Sequence, residues 1–284
     1  MRADDFPGLG VTSGRLPQPS DAPILLLILI SMIQPVAMNM YVPAMAAMRH
    51  DLATSPAAIQ ATLYAFLVAT AVGQVVVGPL SDIYGRRTVL LTGLWIFAMG
   101  SVICIVAPTI ETLILGRIIQ GLGGCAGLAL SRAIIRDIHG TATSASMIGY
   151  VTMGMATAPL VAPAIGGLLY ETTSWRVIFA VIGLLGLVGL AAATHRLRET
   201  HQSTGGDGVF ARWRAEMREL LTLRDFWAYS LTLAALCVAF FSFLGGGSFV
   251  AAAVYELSAS EYGLYFIFMV SGYVFGNFIT GRYS

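Results

Sequence analysis

The sequence predicts an all-α membrane protein. Of its 284 residues, 57% are hydrophobic and 11% are charged, whereas a soluble domain has about 45–50% apolar and about 25% charged residues. Eight long stretches contain no charged residue, and most of them reach the roughly 20 residues that a helix needs to cross a bilayer. Together these observations exclude an ordinary soluble enzyme. The net charge of +1 gives no electrostatic footprint for nucleic acid.

Eight transmembrane helices are predicted in order along the chain. The fourth is long enough only if it begins near Thr112 and includes Arg117. The sixth is slightly short and takes Trp175 as an anchor at the membrane interface. The uncharged stretches cover residues 22–48, 52–81, 88–110, 118–131, 140–170, 177–194, 226–255 and 262–281.

The distribution of Arg predicts the orientation of these helices. All 16 basic residues are Arg. If the N-terminus is cytoplasmic, thirteen of them lie on that side, and two, Arg49 and Arg176, lie on the other. Cytoplasmic loops carry an excess of positive charge, and an even number of spans returns the chain to its starting side. We therefore expect both termini in the cytoplasm.

A hydrophilic segment divides the chain into two groups of helices. Its apolar residues recur at helical spacing from Phe210 to Leu221, so a helix packed on the membrane interface is expected there. The predicted organisation is a cytoplasmic tail over residues 1–21, a six-helix N-terminal bundle over 22–195, a cytoplasmic central loop with this amphipathic helix over 196–225, and the first two helices of a second bundle over 226–284.

A weak internal repeat predicts that the second bundle is incomplete. The segments G-Q-V-V-V-G-P-L-S, from Gly73 to Ser81, and G-N-F-I-T-G-R-Y-S, from Gly276 to Ser284, share both glycines and the serine. Each segment belongs to the second helix after a hydrophilic boundary. If the second half repeats the first, four more helices are expected after Ser284.

The loop after the second span reads G-P-L-S-D-I-Y-G-R-R. Gly78 is expected to let two helices approach closely, and Asp82 to cap a helix N-terminus. Gly85 permits a tight turn. Arg86 and Arg87 are expected to hold the loop in the cytoplasm.

This loop resembles the signature loop of the major facilitator superfamily, and its sequence is similar to that of the Bcr/CflA drug-efflux branch. The departure is Ile83, where that branch has Arg. The resemblance implies the superfamily fold, with a six-helix N-terminal bundle and the first two helices of a C-terminal bundle. It also implies that five residues form a conformational latch: Gly78, Asp82, Gly85, Arg86 and Arg87.

The fourth span contains a charged residue, in the segment L-I-L-G-R-I-I-Q-G. An Arg inside a span costs roughly 2.5–3.5 kcal/mol on insertion scales and is a functional candidate by default, although Arg117 could also snorkel from near a helix end. The segment resembles the family's R-x-x-Q-G element, which implies a role in proton coupling for Arg117 with Gln120. Further along, Arg136 and Asp137 are expected to form a charge network with Asp82.

The fifth span resembles the antiporter signature of the superfamily. Its prolines remove backbone donors and bend the helix, and its glycines allow close packing. The residues concerned are Pro159, Pro163, Gly166 and Gly167. The resemblance implies that this helix meets the eighth span, which offers Gly272 and Gly276, and so seals the two bundles together.

The first span contains N-M-Y-V-P, which resembles the branch's D-M-Y-L-P with Asn39 in place of the acid. An Asp could bind and release a proton there, whereas Asn39 can only form hydrogen bonds. Helix position alone indicates candidates for a substrate cavity, and each could equally be an ordinary packing residue. Besides Arg117 they are Gln34, Asn39, Tyr41, Tyr64 and Phe241.

The resemblance implies a multi-pass transporter in the inner membrane of a bacterium. It would export drugs or other small amphipathic molecules in exchange for protons by alternating access, without covalent chemistry, cofactor or metal. Two alternatives stay open, namely a facilitator that is not coupled to protons and an inactive truncated fragment. A membrane-embedded enzyme is disfavoured because the spans contain no metal-spaced His/Asp/Glu cluster and no Ser–His pair.

Overall fold

The computed structural model is built almost entirely of helices. It describes residues 24–201, 208–268 and 271, apart from the side chains of 139–143, 145 and 156. The helices are α1 (Ile24–Asn39), α2 (Met45–Asp51), α3 (Pro56–Tyr84), α4 (Arg86–Val106), α5 (Ile110–Thr172), α6 (Trp175–Arg196), α7 (Val209–Leu220) and α8 (Arg224–Val254), with a 3-10 turn, Val42–Ala44, between the first two. A further helix, α9, covers residues 259–268.

Seven helical segments within the described residues are long and apolar enough to cross a membrane. They correspond to the first seven predicted spans: Ile24–Asp51, Pro56–Tyr84, Arg86–Val106, Ile110–Ile138, Ser146–Thr172, Trp175–Arg196 and Arg224–Val254. The eighth predicted span begins within α9. Apart from Ser271, the rest of it, with Gly272 and Gly276, lies outside the described residues.

The fourth and fifth spans are joined within one helical stretch, α5, where the sequence predicted two separate helices. The chain nevertheless reverses direction there. Ser144 Oγ donates a hydrogen bond to Ile135 O, nine residues earlier, at 3.4 Å, although a straight helix would separate these residues by about 13.5 Å. We call the segments on either side the first arm (Ile110–Ile138) and the second arm (Ser146–Thr172).

Both arms of α5 pack along α1, in opposite directions. The contacts of the two arms with α1 show these directions. As the first arm runs from Arg117 to Gly127, its contacts pass from Ala37 back to Ile30. As the second arm runs from Gly154 to Gly166, its contacts pass from Ile28 forward to Met40. The reversal therefore brings both arms into one bundle with α1.

The first arm is the centre of this bundle, since its glycines contact α1, α3 and α4. Its glycines allow the backbones to touch. A Cβ on Gly123 would lie 2.2 Å from Phe97 N, and a Cβ on Gly121 would lie 2.6 Å from Phe66 O. On the opposite side of the contact, a Cβ on Gly100 would lie 2.4 Å from Gln120 N. Larger residues would push α3 and α4 away from the arm.

Gly78 does not mediate the close contact that the sequence predicted for it. Among the described residues, no atom lies within 4 Å of a Cβ placed on Gly78. The close approach of α3 to the first arm occurs at Gly73, where a Cβ would lie 2.5 Å from Cys125 Sγ. Gly78 lines a cavity of about 590 Å³ between α3 and α7. The apolar side chains of Trp213 and Met217 on α7 help to close this cavity.

Trp175 is fully buried, so the prediction of an anchor at the membrane interface is wrong. Its ring packs edge-on against Phe179, with centroids 6.1 Å apart. Its Nε1 donates to Asp51 Oδ2 at 2.9 Å. Beside it, Arg176 Nη2 donates to Ala107 O at 3.1 Å. These contacts tie the start of α6 to the ends of α2 and α4.

The last part of α8 packs on the first six predicted spans, against α2 and α3. Its buried residues are Leu244, Gly245, Ser248 and Ala251. The start of α9 packs on the second arm, because a Cβ on Gly263 would lie 2.7 Å from Pro163 O. Ser260 N also donates to Glu171 Oε1 at 2.8 Å. Most of α8 before Leu244 is exposed.

Candidate functional site

Arg117 lies at the centre of the bundle, on the first arm of α5, and has no exposed surface. Its guanidinium packs against aromatic rings. The Cζ atom lies 4.1 Å from the ring centroid of Phe66, 4.4 Å from that of Tyr41 and 5.8 Å from that of Phe179. A desolvated cation gains about 2 kcal/mol or more from such a ring face. The rings therefore offset part of the cost of burying the charge.

One edge of the guanidinium is hydrogen-bonded. Arg117 Nη1 donates to Ala37 O at 3.1 Å and to Gln120 Oε1 at 2.5 Å. Gln120 Nε2 in turn donates to Ser101 Oγ at 2.8 Å, and Ser101 Oγ donates to Phe97 O at 2.9 Å. This chain of hydrogen bonds runs from α1 through the first arm to α4.

On the other edge, neither nitrogen makes a hydrogen bond of good geometry to a described residue, although the Tyr41 hydroxyl lies close enough to interact with the guanidinium. Both Nε and Nη2 of Arg117 are buried without an acceptor. Two buried acceptors on α1, Gln34 Oε1 and Asn39 Oδ1, lack a donor in the same way. Asn39 Nδ2 donates to Pro35 O at 2.8 Å. Buried polar atoms nearly always have a hydrogen-bond partner, so a cluster of four buried polar atoms without one is unusual.

The structure brings only some of the predicted cavity residues to Arg117. Tyr41 contacts it directly, and its hydroxyl lies 3.3 Å from Thr62 Oγ1. Tyr64 and Phe241 make none of the ring contacts or hydrogen bonds to Arg117 within the described chain. The Tyr64 hydroxyl lies 3.5 Å from the position of a Cβ on Gly245 of α8. Arg117 does not snorkel, because a snorkelling side chain would keep its charged head in contact with water.

A second cluster surrounds the loop between α3 and α4, and we call it the loop cluster. Arg86 Nη1 lies 2.6 Å from Asp82 Oδ1, and Arg86 Nε lies 3.2 Å from Asp137 Oδ2. Arg86 also donates to Ser81 Oγ. The predicted network therefore joins Asp82 and Asp137 through Arg86. Arg136 was also expected to take part in this network. It precedes Asp137 in the chain, and its side chain is exposed.

Glu199 completes the loop cluster, although the sequence did not single it out. Its carboxylate accepts a hydrogen bond from Arg86 N at 2.8 Å and from Arg87 N at 3.2 Å. These are free N–H groups at the first turn of α4. The sequence predicted this capping role for Asp82, which pairs with Arg86 instead. The one signal in the sequence was an acid shortly after the sixth span, next to Arg198.

Two neighbours fix the geometry of Glu199. Gly85 has φ +89°, a conformation that glycine adopts readily, and a Cβ there would lie 2.5 Å from Glu199 Oε2. Arg87 donates from Nε to Leu197 O at 2.8 Å and from Nη2 to Thr194 O at 2.9 Å. It thereby caps the last carbonyls of α6. The loop cluster thus joins the ends of α3, α4, the first arm and α6.

The antiporter-type segment lies in the second arm. The helix continues through both of its prolines, Pro159 and Pro163. Its two glycines touch the backbones of two different segments. A Cβ on Gly166 would lie 1.6 Å from Met40 O, and a Cβ on Gly167 would lie 2.4 Å from Ala259 O. The second arm therefore touches both the end of α1 and the start of α9.

The comparisons with known proteins place the chain in one protein family. The sequence profile described as Major Facilitator Superfamily matches residues 27–284. The chain is 34% identical to an uncharacterized MFS-type transporter of Bacillus subtilis (strain 168), with 91% of this chain and 65% of that protein covered. It is 30% identical to the bicyclomycin resistance protein homolog of Haemophilus influenzae, with 92% and 66% covered. It thus spans slightly less than two thirds of the length of these relatives.

Among solved structures, the fold is similar to that of a bacterial homolog of the human lysosomal transporter Spinster in an inward-facing, unoccupied conformation. The TM-score is 0.73 at 18% sequence identity, with 92% of this chain and 62% of that chain covered. This likeness confirms the predicted helical architecture over most of the described chain.

Proposed function

Because the chain belongs to the major facilitator superfamily, we propose that it works as a secondary active transporter of the bacterial inner membrane. It exports drugs or other small amphipathic molecules by alternating access, and protons that move inward drive the export. The orientation that accompanies this proposal has both termini in the cytoplasm, as the distribution of Arg favours.

The buried charge of Arg117 is the observation that carries this proposal. A charged side chain within a span is costly and is functional by default. Here the cation is enclosed by Tyr41, Phe66 and Phe179, which come from three different parts of the bundle. Stability alone does not require a charge in that position, since a well-packed apolar side chain would avoid the cost of desolvation.

The loop cluster supports the alternating-access part of the proposal. Alternating access is largely the rigid-body rocking of one helical bundle against another. Hydrogen bonds and ion pairs of Arg86, Arg87 and Glu199 hold together four helix ends of the first bundle, so this bundle can rock as one body. We propose that this cluster acts as the conformational latch, with Asp82 and Asp137 as the carboxylates that hold Arg86.

The substrate class rests on the relatives. One of them is named as a homolog of a bicyclomycin resistance protein, and the loop motif is similar to that of the Bcr/CflA branch. Both support the export of drug-like molecules by this chain.

A second candidate function, a facilitator that is not coupled to protons, is favoured by one observation. Asn39 replaces the acid of the related motif, and every Asp and Glu of the chain lies outside the uncharged stretches of the predicted spans. The uncharged stretches thus offer no carboxylate as a proton acceptor, and the acids of the chain lie at the ends of the spans or in the segments between them.

Everted membrane vesicles test both candidates. The vesicles come from cells that express the complete reading frame, and drug uptake and drug-induced proton movement are measured together. We expect saturable drug uptake with proton release, and Arg117→Ala is expected to abolish both at normal membrane abundance. Arg117→Lys should restore little, because an ammonium does not reproduce the planar fork of a guanidinium.

The matched control for these variants is Arg136→Ala, which removes an exposed Arg from the same arm. It should leave drug uptake close to that of the wild type. Drug uptake without proton movement would favour the facilitator. Wild-type uptake by Arg117→Ala would contradict the role of this residue in transport.

A further inference from the structure

A cavity of about 350 Å³ lies where α8 and α9 meet the first six spans, and we call it the junction cavity. Its walls come from α2 and the end of the second arm on one side, and from the end of α8 and the start of α9 on the other. It lies at the opposite end of the bundle from the loop cluster, because α2 precedes the start of α3 and the loop cluster follows its end. Small-molecule sites have volumes of about 300–1,000 Å³, so the junction cavity is large enough to hold one.

Two buried hydroxyl groups of residues that line the junction cavity have no hydrogen-bond partner within the described chain. They belong to Ser248 on α8 and Tyr262 on α9, and these residues are 3% and 8% exposed. The Tyr262 hydroxyl faces α8, since it lies 2.7 Å from the position of a Cβ on Gly247. Buried hydroxyls rarely lack a partner, so both are candidates for contact with a ligand.

Ser248 differs from other serines in the helices of this protein. Ser31, Ser101 and Ser131 each donate to the carbonyl four residues earlier, at 2.7, 2.9 and 2.7 Å. This bond is common for a serine inside a helix. Ser248 does not form it with Leu244 O, and its hydroxyl is therefore available to a group from outside the helix.

The charges around the junction cavity favour a cation. Of the lining residues that the structure describes, Asp51 alone carries a full charge when His50 is neutral. Its carboxylate is held in place, because Oδ2 accepts a hydrogen bond from Trp175 Nε1 at 2.9 Å. Glu171 adds a second carboxylate at this end, at the contact between the second arm and α9. Arg176 does not line the cavity, and its guanidinium lies over the Trp175 ring. Carboxylates in this arrangement attract a cation.

We propose that the junction cavity binds a small amphipathic ammonium compound. Its N–H groups donate to the hydroxyl oxygens of Ser248 and Tyr262, and Asp51 supplies the opposite charge. Its apolar body lies against the alanines of α2 and α8. This inference rests on the proposed function, which makes the ligand a transported molecule at one end of its path. The rocking of one bundle against the other widens this cavity, because its walls belong to both of them.

Equilibrium binding tests this inference without transport. The protein is expressed from the complete reading frame and purified in detergent, and radiolabelled phenylethylamine is the probe. Phenylethanol, a neutral analogue of nearly the same shape, and the anion phenylacetate are the competitors. The amine should bind saturably, and each competitor should displace it at least about tenfold less well than unlabelled amine does, because neither carries a positive charge. Equal displacement by phenylethanol, or no saturable binding of the amine, would overturn the proposal.

Removal of the two hydroxyls separates a ligand site from a structural role. Ser248→Ala and Tyr262→Phe delete groups that have no partner within the described chain, so the thermal midpoint of the protein should not fall. Each should nevertheless lower the affinity for the amine by about fivefold or more. The matched control is Tyr265→Phe, which removes an exposed hydroxyl from the same helix outside the cavity and should change neither quantity. Wild-type affinity in both Ser248→Ala and Tyr262→Phe would refute the site.

Two further substitutions test the space and the charge. Ala252→Leu fills the junction cavity and should lower the affinity for the amine by more than about tenfold. Its control is Ala253→Leu, at the next position, which is exposed and does not line the cavity. Asp51→Asn keeps an acceptor oxygen for Trp175 and removes the charge, so binding of the amine should weaken about tenfold while that of phenylethanol stays the same. Equal effects of the two Leu variants, or an unchanged affinity in Asp51→Asn, would contradict the proposal.

These outcomes are distinguishable from a failure of the proposed function. Drug uptake that continues in vesicles while the amine fails to bind would remove the site and leave the transporter. Saturable binding of the amine by a protein that transports nothing would keep the site and remove its place in export.

Discussion

The contact between Glu199 and the first turn of α4 makes a prediction whose size follows from the structure. The carboxylate accepts hydrogen bonds from Arg86 N and Arg87 N at 2.8 and 3.2 Å. Replacement of a capping acceptor costs about 0.5–2 kcal/mol, and Glu199 is exposed, so we expect about 1 kcal/mol for Glu199→Ala. At 25 °C this changes a local opening equilibrium by about fivefold.

Hydrogen–deuterium exchange measures this change directly at the amides of Arg86 and Arg87. In Glu199→Ala these amides should exchange about fivefold faster, because local opening of the first turn of α4 exposes them. Glu199→Gln keeps an acceptor oxygen but loses the charge, and it should fall between wild type and Ala. The control is Glu216→Ala, which removes an exposed carboxylate from α7. Unchanged exchange at residues 86 and 87 in Glu199→Ala would refute the capping role.

Three other predictions concern packing and topology. Gly123→Ala places a Cβ against backbone atoms of Phe97 and Gly93 and should destabilise the bundle by about 1–3 kcal/mol, seen as a lower thermal midpoint in detergent; the control Gly246→Ala, which meets no described atom within 4 Å, should have little effect. Trp175→Phe removes the donor to Asp51 and should cost about 1–3 kcal/mol, whereas Trp95→Phe at an exposed position should cost less. A reporter that works only in the cytoplasm should be active within 205–208 and silent near His50 or Ser258, because thirteen of the 16 Arg lie on the side of the central loop; activity at either silent position would contradict the topology.

The sequence predicted the local part of the Arg117 site but not its enclosure. Arg117 and Gln120 are three residues apart, and side chains at that spacing are neighbours on a helix, so their hydrogen bond could be anticipated. The ring contacts come from α3, from the segment after α1 and from α6. Such contacts depend on how the helices are arranged in space, which spacing along one helix does not encode.

The loop motif also shows that contacts between distant parts of the chain cannot be predicted from local sequence. The residues from Gly78 to Arg87 identified the loop, and the positive φ of Gly85 agrees with the predicted turn. The partners within it were assigned wrongly, because Asp82 and Glu199 both offer a carboxylate and only the fold decides which one reaches α4. Glu199 is 113 residues from Arg86 along the chain, so no local pattern could connect them.

The first arm of α5 links the two clusters physically. Arg117 and Asp137 lie 20 residues apart on it, which is about 30 Å along a helix. Gly121 and Gly123 hold this arm against the backbones of α3 and α4, and closely packed backbones leave no room for the arm to slide. We therefore expect the Arg117 end of the arm and the loop cluster to move as one body. The compliant contact is the one with α8, which is buried only near its end, and we expect relative motion to occur there.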